Sequence, residues 1–489
     1  MKSLKINATL NVIQNICKII FPLVTIPYVC RVLEASNFGK VSFGNSVVRY
    51  FILLAALGIP AYAQREASAF RDDKNRISRF SNQVFSISVY STIASYTFLF
   101  IALFSSSKLS DYAILIILQS ATIILITLGA DWINVVYEDY FYLTVRYIIF
   151  QLISIILLFM FVNTANDYYI YAIINIIATA GGDVLNIFYI RKYVNLKLVP
   201  FNETIEHFKP IMILFCVSMT TVIYINSDIT ILGFYLSDDD VGVYTIASNI
   251  YSVVKQVISA VIVVSLPRLA YYLGHDDNEA YMKLALKVLN TLIIISVPLI
   301  CWLIIFSSDI LQLLGGYEYI RGQQSLIILS VGLLFAVLAG FYANGYLLLH
   351  KKDKIFLMAT TISAALNIGL NLFLIPFIGI VGAAITTLIA EFVMTFISFR
   401  EAMKKYRLVV GRSELFSAII GGGIFLLMSI AVKSVNVDSM LNMFVSLFIA
   451  LPLYFWFLKC MNNPFANSLW IMLVSVWKKG IGVVRILYR

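Results

Sequence analysis

The chain is a succession of apolar stretches, each about as long as a bilayer is thick. A helix needs roughly 20 mostly apolar residues to cross the hydrocarbon core. Stretches of that kind recur at 10–29, 41–61, 84–104, 112–130, 144–162, 168–190, 211–233, 244–264, 285–306, 325–348, 356–375, 379–398, 413–432 and 440–458. Within lipid each such segment must satisfy its own backbone N–H and C=O groups, which makes it a helix. The expected fold class is therefore all-α, a polytopic membrane protein with about 14 transmembrane helices. The pair 356–375 and 379–398 is the most tightly spaced, parted only by Pro376 and its neighbours.

The loops give the orientation. Counted from the N-terminus, the odd-side loops carry 28 Lys and Arg and the even-side loops five. Arg146 is counted with the odd-side loops. Lys and Arg gather on the cytoplasmic side of a membrane protein, so both termini are expected in the cytoplasm. The net charge of +10 is then topology plus contact with membrane lipids, and needs no nucleic acid. Lys2 and Lys5 precede a segment holding Asn11, Gln14, Asn15 and Lys18 without a small-residue cleavage site. That reads as a retained first helix rather than a signal peptide.

Soluble-enzyme signals are missing. Five cysteines contain no CxxC pair and three histidines all fall in loops, so no metal or cofactor is expected. No glycine–lysine phosphate loop is present, and no loop is long enough for a catalytic module. Enzymatic activity is not expected.

The polar segment 191–210 separates two halves, giving lobes at 1–200 and 201–400 and a terminal pair with its tail at 401–489. At a constant offset of 203, RVLEASNFGKVS (31–42) echoes FYLSDDDVGVYT (234–245), with Leu33 on Leu236, Gly39 on Gly242 and Ser42 on Thr245. The halves would be parallel repeats. Residues 463–489, with Trp470, Trp477, Lys478, Lys479 and Arg485, suit an interfacial helix on the basic side.

Three cations sit inside spans: Lys18, Arg49 and Lys255. A charge in hydrocarbon is costly and marks a lumen or pathway by default. Asn11, Asn15, Lys18, Pro22 and Thr25 share one helical face, as do Ser42, Asn45 and Arg49, and Ser248, Ser252, Lys255 and Ser259. A structural alternative stands beside this. Lys255 could pair with Asp228, and Lys18 or Arg49 could extend to headgroups. Asp228 and Glu391 are candidates for ion coupling, since a shielded carboxylate can hold a proton, or for hydrogen bonding between helices. Asp183 follows Gly181-Gly182 in another span.

Residues 27–68 resemble the start of bacterial polysaccharide-repeat flippases, the O-antigen and exopolysaccharide translocases of the multidrug/oligosaccharidyl-lipid/polysaccharide exporter superfamily. The shared residues are Pro27-Tyr28, Arg31, Leu33, Phe38-Gly39, Tyr50, Gly58 and Arg65-Glu66. Asp228, Leu232-Gly233, Gly242, Tyr244 and Ala247 form a second match, and Asp131-Trp132, Glu138, Tyr140 and Arg146 a third. This chain has Asn134-Val135-Val136 where the family has an aromatic–glutamine–glycine stretch.

The resemblance implies two six-helix lobes plus a terminal pair. It also implies an undecaprenyl-diphosphate-linked oligosaccharide as cargo, a cationic lumen to hold it, and a polysaccharide polymerase and chain-length regulator as partners. Lys18, Arg49 and Lys255, with Asn15, Asn45 and Ser252 beside them, are the residues here that fit such a lumen. Rival functions are a cation-coupled multidrug exporter of the same fold and a flippase for a peptidoglycan or teichoic-type lipid-linked precursor.

Overall fold

A computed structural model describes residues 4–435, 439–467 and 470. The side chain of Asn11 and the tail from residue 471, which holds most of the interfacial helix expected from the sequence, lie outside the described residues. Among the described residues all regular structure is helical. In chain order the α-helices are α1 (Leu4–Ala56), α2 (Ile59–Ala67), α3 (Lys74–Ser105), α4 (Ser107–Asp111), α5 (Ala113–Gly129), α6 (Trp132–Val136), α7 (Tyr140–Phe161), α8 (Tyr168–Ile176) and α9 (Gly182–Tyr189). They continue as α10 (Ile205–Tyr235), α11 (Asp238–Gly274), α12 (Asn278–Ile305), α13 (Ser307–Gly315), α14 (Gln323–Phe341), α15 (Asp353–Met403), α16 (Arg412–Lys433) and α17 (Ser439–Cys460). Twelve helical runs among the described residues are long and apolar enough to cross a membrane.

Two of them are too long for one crossing. Helix α1 has 53 residues, which at 1.5 Å per residue is roughly 80 Å, more than twice the hydrocarbon thickness. It breaks at Glu34, whose φ of 62° and ψ of 173° lie in a region that favours glycine. The chain reverses there. Tyr28, before the break, donates to the Val162 carbonyl at 2.8 Å, and Asn37, after it, donates to that of Ala165 at 2.7 Å. Gln14 and Lys18 from one arm and Ile52 and Ala56 from the other line one cavity. The strained turn is held from outside, because the Ala35 N–H donates to the Glu318 carboxylate at 3.2 Å.

Helix α15, with 51 residues, breaks at Gly379 (φ 60°, ψ −140°), a conformation glycine adopts without a Cβ clash. Asn367 and Thr386 meet across that break at 3.5 Å. Helix α1 holds both of the segments expected at 10–29 and 41–61, and α15 both of those expected at 356–375 and 379–398.

The chain packs into two compact units. The first comprises Met1–Thr245, Leu314–Tyr319 and Ile368–Ile380; the second comprises Ile246–Leu313, Ile320–Asn367 and Val381–Arg489. The first unit therefore runs past residue 200 and takes in α10. The lobes drawn from the sequence remain a proposal about the repeat, not about these packing units. Ile59, Tyr62, Ile77, Phe80, Trp132, Val136 and Ile211 form one core of the first unit. In the second, Ile294, Phe425, Tyr454 and Leu458 join α12, α16 and α17, and the Tyr454 hydroxyl donates to the Ile294 carbonyl at 2.9 Å.

The internal echo meets itself within the first unit. A Cβ placed on Gly39 would overlap the carbonyl oxygen of Asp238 and stand 2.9 Å from the Gly242 nitrogen; one on Gly242 would overlap the carbonyl oxygen of Ala35. Ala35 and Asp238 are themselves related by the offset of 203, as are Gly39 and Gly242. The contact is thus self-complementary, in the manner of a two-fold interface, and both glycines are required for the backbones to approach so closely.

Candidate functional site

Arg49 lies on the second arm of α1 and is exposed. Its Nη1 donates to Asn226 Oδ1 on α10 at 3.3 Å. The same two helices are joined beside it by Tyr50, Thr230 and Ser46, with hydroxyl contacts of 3.1 and 2.9 Å. Among the described residues no carboxylate pairs with Arg49, whose one polar partner is a neutral amide. Lys18 is also exposed and forms no ion pair among the described residues; its Nζ stands 5.7 Å from the ring centroid of Tyr147. Asn15 is exposed and Asn45 half-buried, both in the first unit.

Lys255 is different. Its Nζ lies 2.6 Å from Glu391 Oε1, and the Tyr251 hydroxyl, one helical turn earlier on α11, donates to the same oxygen at 2.9 Å. The pairing of Lys255 with Asp228 considered from the sequence is therefore overturned. Asp228 accepts from the Tyr244 hydroxyl at 2.7 Å on one oxygen and from the Asn371 amide at 2.6 Å on the other. These neutral donors satisfy the buried carboxylate while Glu391 takes the lysine. Lys255 and half-buried Ser252 belong to the second unit, Arg49 and Asp228 to the first.

Sequence reasoning placed Arg146 among the loop charges. The structure buries it on α7, where Nη2 lies 2.5 Å from Asp131 Oδ2 and 3.0 Å from Asp183 Oδ1. The side chain of Asn186 donates to Asp131 Oδ1 at 2.9 Å and to the Gly129 carbonyl at 2.6 Å, and Asn134 donates to Asn186 at 2.7 Å. Asn134, where this chain departs from the family pattern, thus helps to hold the cluster. These ions line a cavity of about 360 Å3 within the first unit, together with Lys18, Gln14, Gln64 and Tyr147. The signal in the sequence was glycine: a Cβ on Gly182 would press on the Arg146 side chain at 2.9 Å, and one on Gly129 on that of Asp183 at 2.6 Å.

On the basic side, buried Asp139 accepts from Tyr189, Tyr193 and Lys192 at 2.6, 2.9 and 3.1 Å. Burial, reinforced by that carboxylate, pushes the Tyr193 phenol up to about 12. Its hydroxyl is therefore a permanent donor to Asp139.

The profile of a polysaccharide biosynthesis protein family matches residues 4–273, more than half of the chain. This chain belongs to that family. Residues 210–373 also match the MatE profile. Among its relatives is a probable low-salt glycan biosynthesis flippase, Agl15 of Haloferax volcanii, 24% identical over 232 residues, which are 46% of this chain and 48% of that protein. The chain thus spans about half the length of that relative. A putative O-antigen transporter of Escherichia coli strain K12 is 23% identical over 382 residues, 77% of this chain and 91% of that one. The lipid II flippase MurJ in an inward closed conformation superposes with a TM-score of 0.73 at 19% identity, over 95% of this chain and 99% of that one. The family member described here therefore has the fold of that protein.

Proposed function

We propose that this protein translocates an undecaprenyl-diphosphate-linked oligosaccharide from the inner to the outer leaflet of the cytoplasmic membrane, by exposing one site alternately to the two sides. The observation that carries the proposal is Arg49: a guanidinium inside an apolar span, exposed, with no described carboxylate to neutralise it. An arginine so placed needs an anion, and its planar fork suits a phosphate oxygen pair. Family membership, the putative O-antigen transporter and the probable glycan biosynthesis flippase among the relatives support a lipid-linked glycan as the source of that anion.

Lys18, Asn15 and Asn45 would extend the site in the first unit, with Lys255 and Ser252 as counterparts in the second. The polyprenyl tail would stay in lipid throughout. The reciprocal Gly39–Gly242 contact would close one side and part when the site faces it. Asp228 and Glu391, both buried, remain the proposed residues for ion coupling. A polymerase and chain-length regulator as partners, and cytoplasmic termini, belong to the same proposal; the 28 to five loop bias supports the orientation.

A cation-coupled drug exporter would need a net acidic site, whereas Arg49 and Lys18 are both cations without a described carboxylate partner. Complementation of a strain lacking its repeat-unit flippase tests the proposal. Wild type restores surface glycan; Arg49→Ala, present at normal level in the membrane, does not. Normal glycan with Arg49→Ala would remove the anion-binding assignment.

A further inference from the structure

On the basic side of the first unit, another cavity, of about 430 Å3, opens between α2, the start of α3 and the start of α10. That volume falls in the range of small-molecule sites, about 300–1,000 Å3. None of the proposed cargo residues lines it. Its floor is buried and already satisfied. The Gln83 amide nitrogen donates to the Glu203 carbonyl at 2.7 Å, which leaves Gln83 Oε1 to accept from His207 Nε2 at 3.1 Å. His207 Nδ1 then accepts from the Tyr62 hydroxyl at 2.8 Å. A histidine with one ring nitrogen donating and the other accepting is neutral, so the floor presents no charge.

The walls carry four charges. Arg76 and Arg79 stand one turn apart on α3, Glu66 comes from α2 and Glu206 from α10. Among the described residues neither arginine forms an ion pair, although both acids line the same space. Arg76 lies over the Phe70 ring, 4.3 Å from its centroid. Glu66 is held on one oxygen, at 3.0 Å, by Arg65, which does not line the cavity. Glu206 Oε1 lies 3.3 Å from the Gln83 amide nitrogen and 3.5 Å from His207 Nε2, both neutral groups. Cations and anions thus face one space without touching, and a ligand bridging them needs an anionic end and a cationic end. Beside the cavity, Leu198, Phe201, Ile205 and Phe208 flank Glu206 and His207 in sequence and are all exposed. Helix α10 is apolar enough to span from Ile205 onward, and large apolar side chains exposed where a span begins sit among lipid chains, next to the headgroup layer.

We propose that this cavity binds a membrane phospholipid with a phosphoethanolamine headgroup. The phosphodiester sits on Arg76 and Arg79, whose guanidiniums suit phosphate oxygens. The primary ammonium sits on Glu66 and Glu206, whose carboxylate oxygens accept its three N–H groups. The acyl chains lie along Leu198, Phe201, Ile205 and Phe208. A phosphoglycerol headgroup would serve the arginines and leave two carboxylates facing it without a cation, and a phosphocholine headgroup has no N–H to give. The bound lipid ties the starts of α3 and α10 to α2. It is separate from the proposed cargo, whose anion belongs to Arg49.

The inference does not depend on the flippase proposal, and its test uses no cargo. The purified full chain is equilibrated in micelles with equal amounts of phosphatidylethanolamine and phosphatidylglycerol of identical acyl chains, and bound lipid is counted by native mass spectrometry. Wild type should prefer the ethanolamine lipid by roughly fivefold, the size of one well-made exposed ion pair. Glu66→Gln combined with Glu206→Gln should lose the preference and still bind both lipids, because the arginines remain. Arg76→Gln combined with Arg79→Gln should lose both. Lys74→Gln, which removes a charge from the same end of α3 outside the cavity, should match wild type. All five side chains are exposed or half-buried, so melting temperatures should stay at the wild-type value in lipid-free detergent. Equal retention of the two lipids by wild type, which involves no variant, overturns the site. So does an arginine double variant that keeps the ethanolamine lipid, or a loss in Lys74→Gln as large as in that variant, which marks general surface charge. Soluble glycerophosphoethanolamine at the same concentration should leave the lipid bound, and displacement by it would overturn a membrane lipid as the source of the headgroup.

Discussion

Removing the charge of Lys255 tests whether that lysine is a partner of Glu391 or a ligand for cargo. The Glu391 side chain is 4% exposed and that of Lys255 is 32% exposed, so the penalty of a broken pair falls on the carboxylate. Removing one member of a fully buried pair costs about 3–5 kcal/mol. Partial exposure of the lysine screens the interaction, and Glu391 keeps its hydrogen bond from Tyr251. Lys255→Met should therefore destabilise by about 2–3 kcal/mol, below that range. Glu391→Gln in the same background removes the stranded charge and should return about 2 kcal/mol, within the span of measured couplings between contacting residues.

The assay is thermal unfolding of wild type, both single variants and the double variant in one detergent, with translocation measured on each. A double variant with restored stability and restored transport makes Lys255 a structural partner; restored stability with transport still lost, while Glu391→Gln alone transports, makes it a cargo contact as well. A double variant no more stable than Lys255→Met would refute the coupling argument.

Arg49→Lys should keep a fraction of the transport that Arg49→Ala loses, because a lysine supplies the charge without the bidentate fork; equal loss in both would point to a packing defect. Gly39→Val should open the reciprocal backbone contact, since overpacking costs about 1–3 kcal/mol, roughly five- to 150-fold in the closed population. In a variant retaining only Cys30, which is 1% exposed, maleimide labelling should rise correspondingly, and unchanged labelling would contradict the contact's role. His350, in a loop between spans, has Nδ1 2.9 Å from the Tyr346 carbonyl, so Nδ1 carries the hydrogen and buried Nε2 is the unprotonated nitrogen. Burial first, then Lys405 and Lys352, lower its pKa. A depressed histidine stabilises the fold above its unfolded value of about 6.5 and loses that contribution as pH falls below it. Melting curves should weaken in that direction, less so for His350→Asn; an equal slope in both would sink the assignment.

Much of the fold was legible because bilayer thickness fixes segment length and backbone satisfaction fixes helix. The reversal near Gly379 was announced by Pro376 and its neighbours. The echo at 31–42 and 234–245 was visible, although only coordinates show Gly39 and Gly242 in mutual contact. What escaped was pairing at a distance. Glu391 is 136 residues from Lys255, and no window of sequence chooses it over the nearer Asp228. Arg146 was misplaced for a different reason: it stands only two residues inside the expected span 144–162 and was counted with the adjoining loop, whereas the helix already begins at Tyr140. Gly129 and Gly182 were the clue, since glycine in a helix is costly and here each makes room for one ion of the cluster.

The most direct test of the central claim is translocation by the purified protein in vesicles carrying a fluorescent undecaprenyl-diphosphate oligosaccharide. The measurement is the rate at which the label crosses to the opposite leaflet. Wild type should move it and Arg49→Ala should not, with both proteins inserted equally. Equal rates from wild type, Arg49→Ala and empty vesicles, or full transport by Arg49→Ala, would contradict the account.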